Sequence, residues 1–275
     1  MVSVDTAELG IHVELIGSSD GAPIIVLPGG GVRSPEYLGD VRRWGSVRPL
    51  AVVHYRGTPK SPGVPGPWWD QFADLETVRQ ALGLDSVEIL AHSAGTRVAL
   101  AYAASSAPVR RLALVAPPAT WLTSTPEDVA VLASDRRNEP VIEAALTAGL
   151  LDLDDETRFR AQQAVIAPLG YARWDAETQR HASLGETNFT ALQSFFSAPP
   201  PEDLKRRICD LSIPVHVIGG SVDLLSGRAP VEALAGVFRN GSVEMLEASG
   251  HYPWVDQPEA FARAVRRWSS AQAWG

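Results

Sequence analysis

The chain has 275 residues, 45% of them hydrophobic, and its 24 Lys and Arg against 32 Asp and Glu leave a net charge of −8. That length and apolar content suit one globular unit with a large core, while the acidic balance argues against nucleic acid and anionic membrane surfaces as partners, since both need basic patches. The one cysteine, Cys209, excludes an internal disulfide, and no apolar run reaches the ~18 residues of a membrane span.

Taken in chain order, the alternation over Ala7–Leu15 predicts a hairpin of edge strands. Pro23–Leu27 is an apolar strand followed by Pro28-Gly29-Gly30-Gly31, and Leu50–His54 is the next strand. Trp69 to Leu82 is amphipathic, with Phe72, Leu75, Val78 and Leu82 on one face and Gly83 as the C-cap. Val87–Leu90 reads as a buried strand that opens through Ala91-His92-Ser93-Ala94-Gly95 into an alanine-rich helix. Arg111–Val115 is a strand ended by Pro117-Pro118. Between about Ala119 and Lys205 the periodicity is helical without strands, and this stretch holds fourteen acids against seven bases. Most of those charges are expected on solvated helix faces. Pro199-Pro200-Pro201 reads as a stiff connector back to the strands. Pro214–Gly219 and Ser242–Leu246 are further strands, and a last helix starts near Gln257. Such alternation predicts an α/β fold, a mostly parallel sheet with helices on both faces.

The chemistry concentrates at strand ends. Strand, small-x-Ser-x-Gly, helix is the setting of a nucleophile elbow, which holds a serine hydroxyl clear of the sheet in a sharp turn. Ser93 also stands where an ordinary helix N-cap would. Asp223 lies just past the strand Pro214–Gly219, and His251 follows the strand Ser242–Leu246. The order Ser93, Asp223, His251 therefore puts a nucleophile, an acid and a base beyond carboxyl strand ends, where open parallel sheets bind ligands. A tetrahedral intermediate also needs two amides pointing at its oxyanion; the candidates are Ala94, next after the serine, and Gly30 in the glycine loop.

These parts together resemble the α/β-hydrolase superfamily, and the resemblance covers nearly the whole chain. His54-Tyr55-Arg56-Gly57-Thr58-Pro59-Lys60-Ser61 is similar to that family's Asp-x-Arg-Gly-x-Gly-x-Ser loop. Within it, Pro28-Gly29-Gly30-Gly31 and Glu186-Thr187-Asn188-Phe189, followed by Phe195-Phe196, resemble parts of proline iminopeptidase-like serine peptidases. There a cap glutamate holds the substrate's α-amine, and Glu186 is the matching residue. Ala94 replaces those peptidases' elbow tryptophan. The resemblance implies a core of residues 1–118 and 206–275 with a helical cap, 119–205, inserted after the sixth core strand. It also implies a serine hydrolase needing no metal or organic cofactor, acting on a small-molecule or short-peptide substrate. An aminopeptidase is one class. An esterase, lactonase or thioesterase is the other, and a non-catalytic ligand-binding protein on the same fold is a third.

Other candidates are weighed against plainer roles. Trp68, Trp69, Trp121, Trp174, Phe195 and Phe196 flank the expected pocket and serve equally as cap packing; of these, Trp121, Phe195 and Phe196 are the candidate substrate wall. His54 is expected to be a satisfied structural histidine, and His92 to point away from the triad base. Asp256 is expected to cap the last helix, and Asp210 lies at the wrong end of its strand. No Cys/His cluster has metal-ligand spacing. Met1–Asp5 lacks the basic-then-apolar pattern of a signal peptide, so a cytoplasmic protein is expected.

Overall fold

The computed structural model describes residues 2–4, 10–17, 21–44, 46, 48–149 and 151–270. Its strands are Val2–Val4 (β1), Val13–Ile16 (β2), Ile24–Leu27 (β3), Leu50–Val53 (β4), Val87–His92 (β5), Val109–Val115 (β6), Val215–Gly220 (β7) and Gly241–Leu246 (β8). They form one sheet in the order β1-β2-β4-β3-β5-β6-β7-β8. The pairs β1–β2 and β2–β4 are antiparallel, and every other neighbouring pair is parallel. An antiparallel edge pair is thus present, with Val2–Val4 as its first strand; residues 5–9, on which part of the expected hairpin falls, lie outside the described residues.

The helices are Phe72–Ala81 (α1), Ala94–Ala104 (α2), Val129–Leu132 (α3), Pro140–Ala148 (α4), Glu156–Ile166 (α5), Ala176–Ala182 (α6), Phe189–Phe195 (α7), Leu204–Cys209 (α8), Ala229–Leu234 (α9), Pro253–Asp256 (α10) and Pro258–Ser270 (α11). Both sheet faces are covered, which is why the central strands read as unbroken apolar runs rather than alternating ones. Ile25, Leu27, Ile89, Leu112 and Leu114 pack with Leu75 of α1, Val98 of α2, Ile208 of α8 and Leu234 of α9. Ile24, Val26, Leu90, Ala113 and Val115 pack on the other face with Trp44 and with α11. In α11 the buried Phe261, Ala264, Val265 and Trp268 recur at the helical period. In α1, Leu75 and Val78 are buried as expected, but Phe72 is 47% exposed. It starts the helix, before the apolar face has turned inward. Gly83 takes a φ of +64° directly after the last helical turn, the left-handed stop that glycine tolerates.

Between β6 and β7 the described residues form helices and irregular connections but no strand; Thr187 makes one isolated antiparallel bridge to Arg33. Helices α3 and α4 share a small core with Leu169 and Leu224, and Phe159 of α5 packs with Phe189 and Leu192 of α7. Helix α8 returns to the sheet layer, where it packs against α2. Among the described residues no helix is long and apolar enough to cross a membrane.

Candidate active site

Ser93 sits between β5 and α2 with φ +48° and ψ −122°, a conformation that L-residues rarely adopt. Its N–H donates to the Val115 carbonyl (2.9 Å), and its own carbonyl accepts from the Thr96 amide (2.9 Å) and hydroxyl (2.6 Å), so the strained turn is held from both sides. Two glycines let the neighbouring chain come close enough. A Cβ at Gly95 would stand 2.4 Å from the Pro28 carbonyl oxygen, and one at Gly29 would stand 2.7 Å from the Ser93 Cβ. Ala91, where the resembled motif has glycine, is fully buried and its methyl is accommodated.

His251 and Asp223 meet behind this turn. The His251 Nδ1–H donates to Asp223 Oδ2 at 2.9 Å, and both side chains are buried. The amides of Leu225 (2.8 Å) and Ser226 (3.1 Å) donate to Asp223 Oδ1, which fixes the carboxylate plane. With Nδ1 committed to the acid, Nε2 of neutral His251 is an acceptor. The His251 main chain is pinned as well: its N–H donates to the Gly170 carbonyl (2.9 Å), tying the loop to the helical segment.

His92 does not turn away from this pair as the sequence suggested. Its ring stacks edge-on against His251, centroids 4.8 Å apart, and its Nε2–H donates to the His251 carbonyl at 3.0 Å. The carbonyl can only accept, so Nδ1 carries no proton and accepts from the Tyr37 hydroxyl (2.9 Å), whose oxygen accepts from the Gly29 N–H (2.5 Å). Complete burial holds the His92 imidazole well below its usual pKa and the Tyr37 hydroxyl well above its own, so both stay neutral. One relay thus joins the glycine loop to the His251 loop. It engages the Gly29 amide; among the described residues the Gly30 amide, in a backbone of φ +71°, has no protein acceptor. Ala94 opens α2, and its N–H has no intrahelical acceptor.

A cavity of about 740 Å³ opens over Ser93 and is lined by Gly30, Arg33, Tyr37, His92, Ser93 and His251 on the sheet side. The helical segment supplies Arg160, Gln163, Tyr171, Trp174, Gln179 and Glu186. Glu186 therefore reaches the cavity, but as an exposed residue at its rim. The structure does not bring Trp121, Phe195 or Phe196 there. Trp121 packs edge-to-face against Trp68, centroids 5.4 Å apart, with Arg97 over both rings. Phe195 is fully buried against Tyr55 and Phe196, and Phe196 is half-exposed beside Gly31. Of the flanking tryptophans only Trp174 lines the cavity.

Two further expectations change. Asp256 does not cap the last helix; its buried Oδ2 accepts from the Gly250 N–H (2.8 Å) and the Ala172 N–H (3.0 Å), clamping the His251 loop to the helical segment. His54 is buried, yet among the described residues neither ring nitrogen has a hydrogen-bond partner; Nε2 lies 3.4 Å from Glu14 Oε1 without hydrogen-bond geometry. No metal-ligand spacing marks these residues in the sequence, but strand pairing brings ligand atoms of His12, Glu14 and His54 within 4.8 Å of one another. The Lys60 ammonium already pairs with that carboxylate.

Residues 24–264 match the Alpha/beta hydrolase family. The AB hydrolase superfamily protein YclE of Bacillus subtilis (strain 168) is 30% identical over 216 residues, 71% of this chain and 73% of its own. A proline iminopeptidase of Neisseria meningitidis is 31% identical over 199 residues, 60% of this chain and 58% of its own. Among solved structures, an esterase from Exiguobacterium antarcticum superposes with a TM-score of 0.66 at 20% identity, covering 95% of this chain and 96% of that one. At that identity the likeness speaks for the fold alone.

Proposed function

The chain belongs to the Alpha/beta hydrolase family, and from that premise we propose that it is a serine hydrolase that cleaves a small carboxylic ester, lactone or thioester through an acyl-enzyme on Ser93. The observation that carries the reading is the Asp223–His251 hydrogen bond at 2.9 Å beside a serine held at φ +48° in the same cavity. In this reading His251 Nε2 takes the Ser93 proton as the hydroxyl attacks the carbonyl carbon. Asp223 fixes the tautomer and stabilises the imidazolium. The Gly30 and Ala94 amides hold the oxyanion, His251 returns the proton to the leaving group, and water then releases the acid. No metal or organic cofactor takes part. Residues 119–205 act as a cap over a core of residues 1–118 and 206–275.

A fluorophosphonate probe should label the wild type and leave Ser93→Ala unlabelled, with turnover reduced by several orders of magnitude. Labelling that maps to another serine would remove Ser93 from the chemistry.

The aminopeptidase reading rests on Glu186, which does line the cavity. An α-ammonium in a half-dry pocket needs an anionic partner. Glu186 is exposed, whereas the buried charged side chain that lines the cavity is the cation Arg33. That balance favours the ester class. Glu186→Gln should leave ester turnover within about twofold; a selective rise in KM for a free-amine substrate, by roughly 1.5–3 kcal/mol in binding, would restore the peptidase assignment.

A further inference from the structure

We propose that Arg33 and the Tyr252 hydroxyl form an anion subsite in the wall of the Ser93 cavity, so that the preferred substrate carries a carboxylate on its acyl chain. The proposal rests on the serine-hydrolase reading above and narrows its substrate class.

Arg33 is only 9% exposed. Its Nε–H donates to the carbonyls of Leu184 (3.1 Å) and Gly185 (3.2 Å), Nη2 donates to those of Ala182 (3.2 Å) and Leu184, and Nη1 donates to the Tyr252 hydroxyl oxygen (3.2 Å). The guanidinium also lies over the Tyr37 ring, 4.4 Å from its centroid. Every one of these partners is neutral, and among the described residues no carboxylate pairs with Arg33. The other cavity arginine, Arg160, is neutralised by Glu156 at 2.8 Å. A cation taken out of water without a counter-charge is costly, and an anion supplied by the substrate offsets that cost.

The donors left over converge. Among the described residues the second proton of Nη1 has no partner, and the Tyr252 hydroxyl, which accepts from Arg33, has no acceptor for its own proton. Both residues line the cavity. Arg33 follows the oxyanion-loop glycine Gly30 by three positions, and Tyr252 is next to His251. A carboxylate held between them stands on the wall that joins the two catalytic loops, within reach of an acyl chain seated on Ser93. The carbonyls of Ala182–Gly185 would equally suit a pure tether between helix α6 and the sheet. A tether, however, is indifferent to substrate charge.

The test is a matched pair of esters, mono-para-nitrophenyl glutarate and para-nitrophenyl pentanoate, which differ by a carboxylate in place of a methyl. Wild type should prefer the glutarate by about 10- to 100-fold in kcat/KM, the range of one charge-assisted pair. Arg33→Gln and Tyr252→Phe should move that ratio toward one, chiefly through KM for the glutarate, while Arg33→Lys keeps part of the preference. Thermal unfolding of each variant is measured alongside. Equal use of both esters by the wild type, or an Arg33→Gln variant that loses both activities in the same proportion, overturns the subsite and leaves Arg33 a tether. Absence of fluorophosphonate labelling, or turnover that survives Ser93→Ala, is the different result that removes the serine reading and the proposal with it.

Discussion

At the scale of single residues, Tyr37 joins two loops that the chemistry needs together. Its hydroxyl accepts from Gly29 and donates to His92, which in turn donates to the carbonyl of His251. Tyr37→Phe preserves the ring but orphans a buried N–H and a buried imidazole nitrogen. Each costs about 1–3 kcal/mol, so denaturant unfolding should show a combined loss of roughly 2–6 kcal/mol. The glycine loop should relax as well, and kcat/KM should fall further than stability alone explains. An unchanged midpoint in urea would mean that water replaces the hydroxyl. Nothing in the sequence marks Tyr37: the residues it links are 8 and 55 positions away. His92, beside Ser93, was visible as a candidate, but the direction of its side chain depends on where the His251 loop lies.

At the scale of elements, the site depends on close approach of backbones. The elbow between β5 and α2 touches the loop after β3, where a Gly95→Ala methyl would stand 2.4 Å from the Pro28 oxygen. That oxygen belongs to the main chain and cannot rotate aside. The variant should be severely destabilised, by more than about 3 kcal/mol, and its soluble yield and melting temperature would show this. Asp256, at the end of α10, gathers the Gly250 and Ala172 amides. Asp256→Ala leaves both donors unpaired and should lower stability by about 2–4 kcal/mol in chemical denaturation; Asp256→Asn, which keeps an acceptor oxygen, should lose less. The strand–helix alternation around these contacts is legible because the 2 and 3.6 periods are local properties. Which loops touch is not, because it follows from the strand order β4-β3-β5 and the return of the chain from the helical segment.

For the molecule as a whole, buried histidines link stability to pH, His54 and His181 among them. Burial lowers the pKa of His54 and of His181 from 6.5 to about 4 each. His181 explains why protonation is resisted: Nε2–H donates to the Tyr37 carbonyl (2.6 Å) and Nδ1 accepts from the Tyr171 hydroxyl (2.7 Å), which leaves no acceptor for a second proton. The unfolded chain binds these protons near 6.5 and the folded chain does not, so stability is fully present above that value and is lost as pH falls toward 4. The slope is up to about 1.4 kcal/mol per pH unit for each histidine. Melting temperatures recorded across that interval should fall steadily, and His54→Gln should flatten the fall; a curve that His54→Gln leaves unchanged would contradict the assignment for His54.

Architecture and chemical vocabulary are legible along the chain. Apolar runs bounded by turn residues marked β3 to β8, and the small-x-Ser-x-Gly turn located Ser93. The order of Ser93, Asp223 and His251 at strand ends followed from position alone, and the structure places Asp223 and His251 in contact. Which side chains face the cavity, by contrast, is set by packing between distant segments. Trp121 and Phe195 are aromatic residues near the expected pocket, but packing satisfies them elsewhere, against Trp68 and Tyr55. Nothing in the sequence marks Arg33 or Tyr252; the fold brings them together across 219 positions. The periodicity of a chain reports what each residue hides from water, whereas the partner it meets there is set by long-range packing, which leaves no local trace.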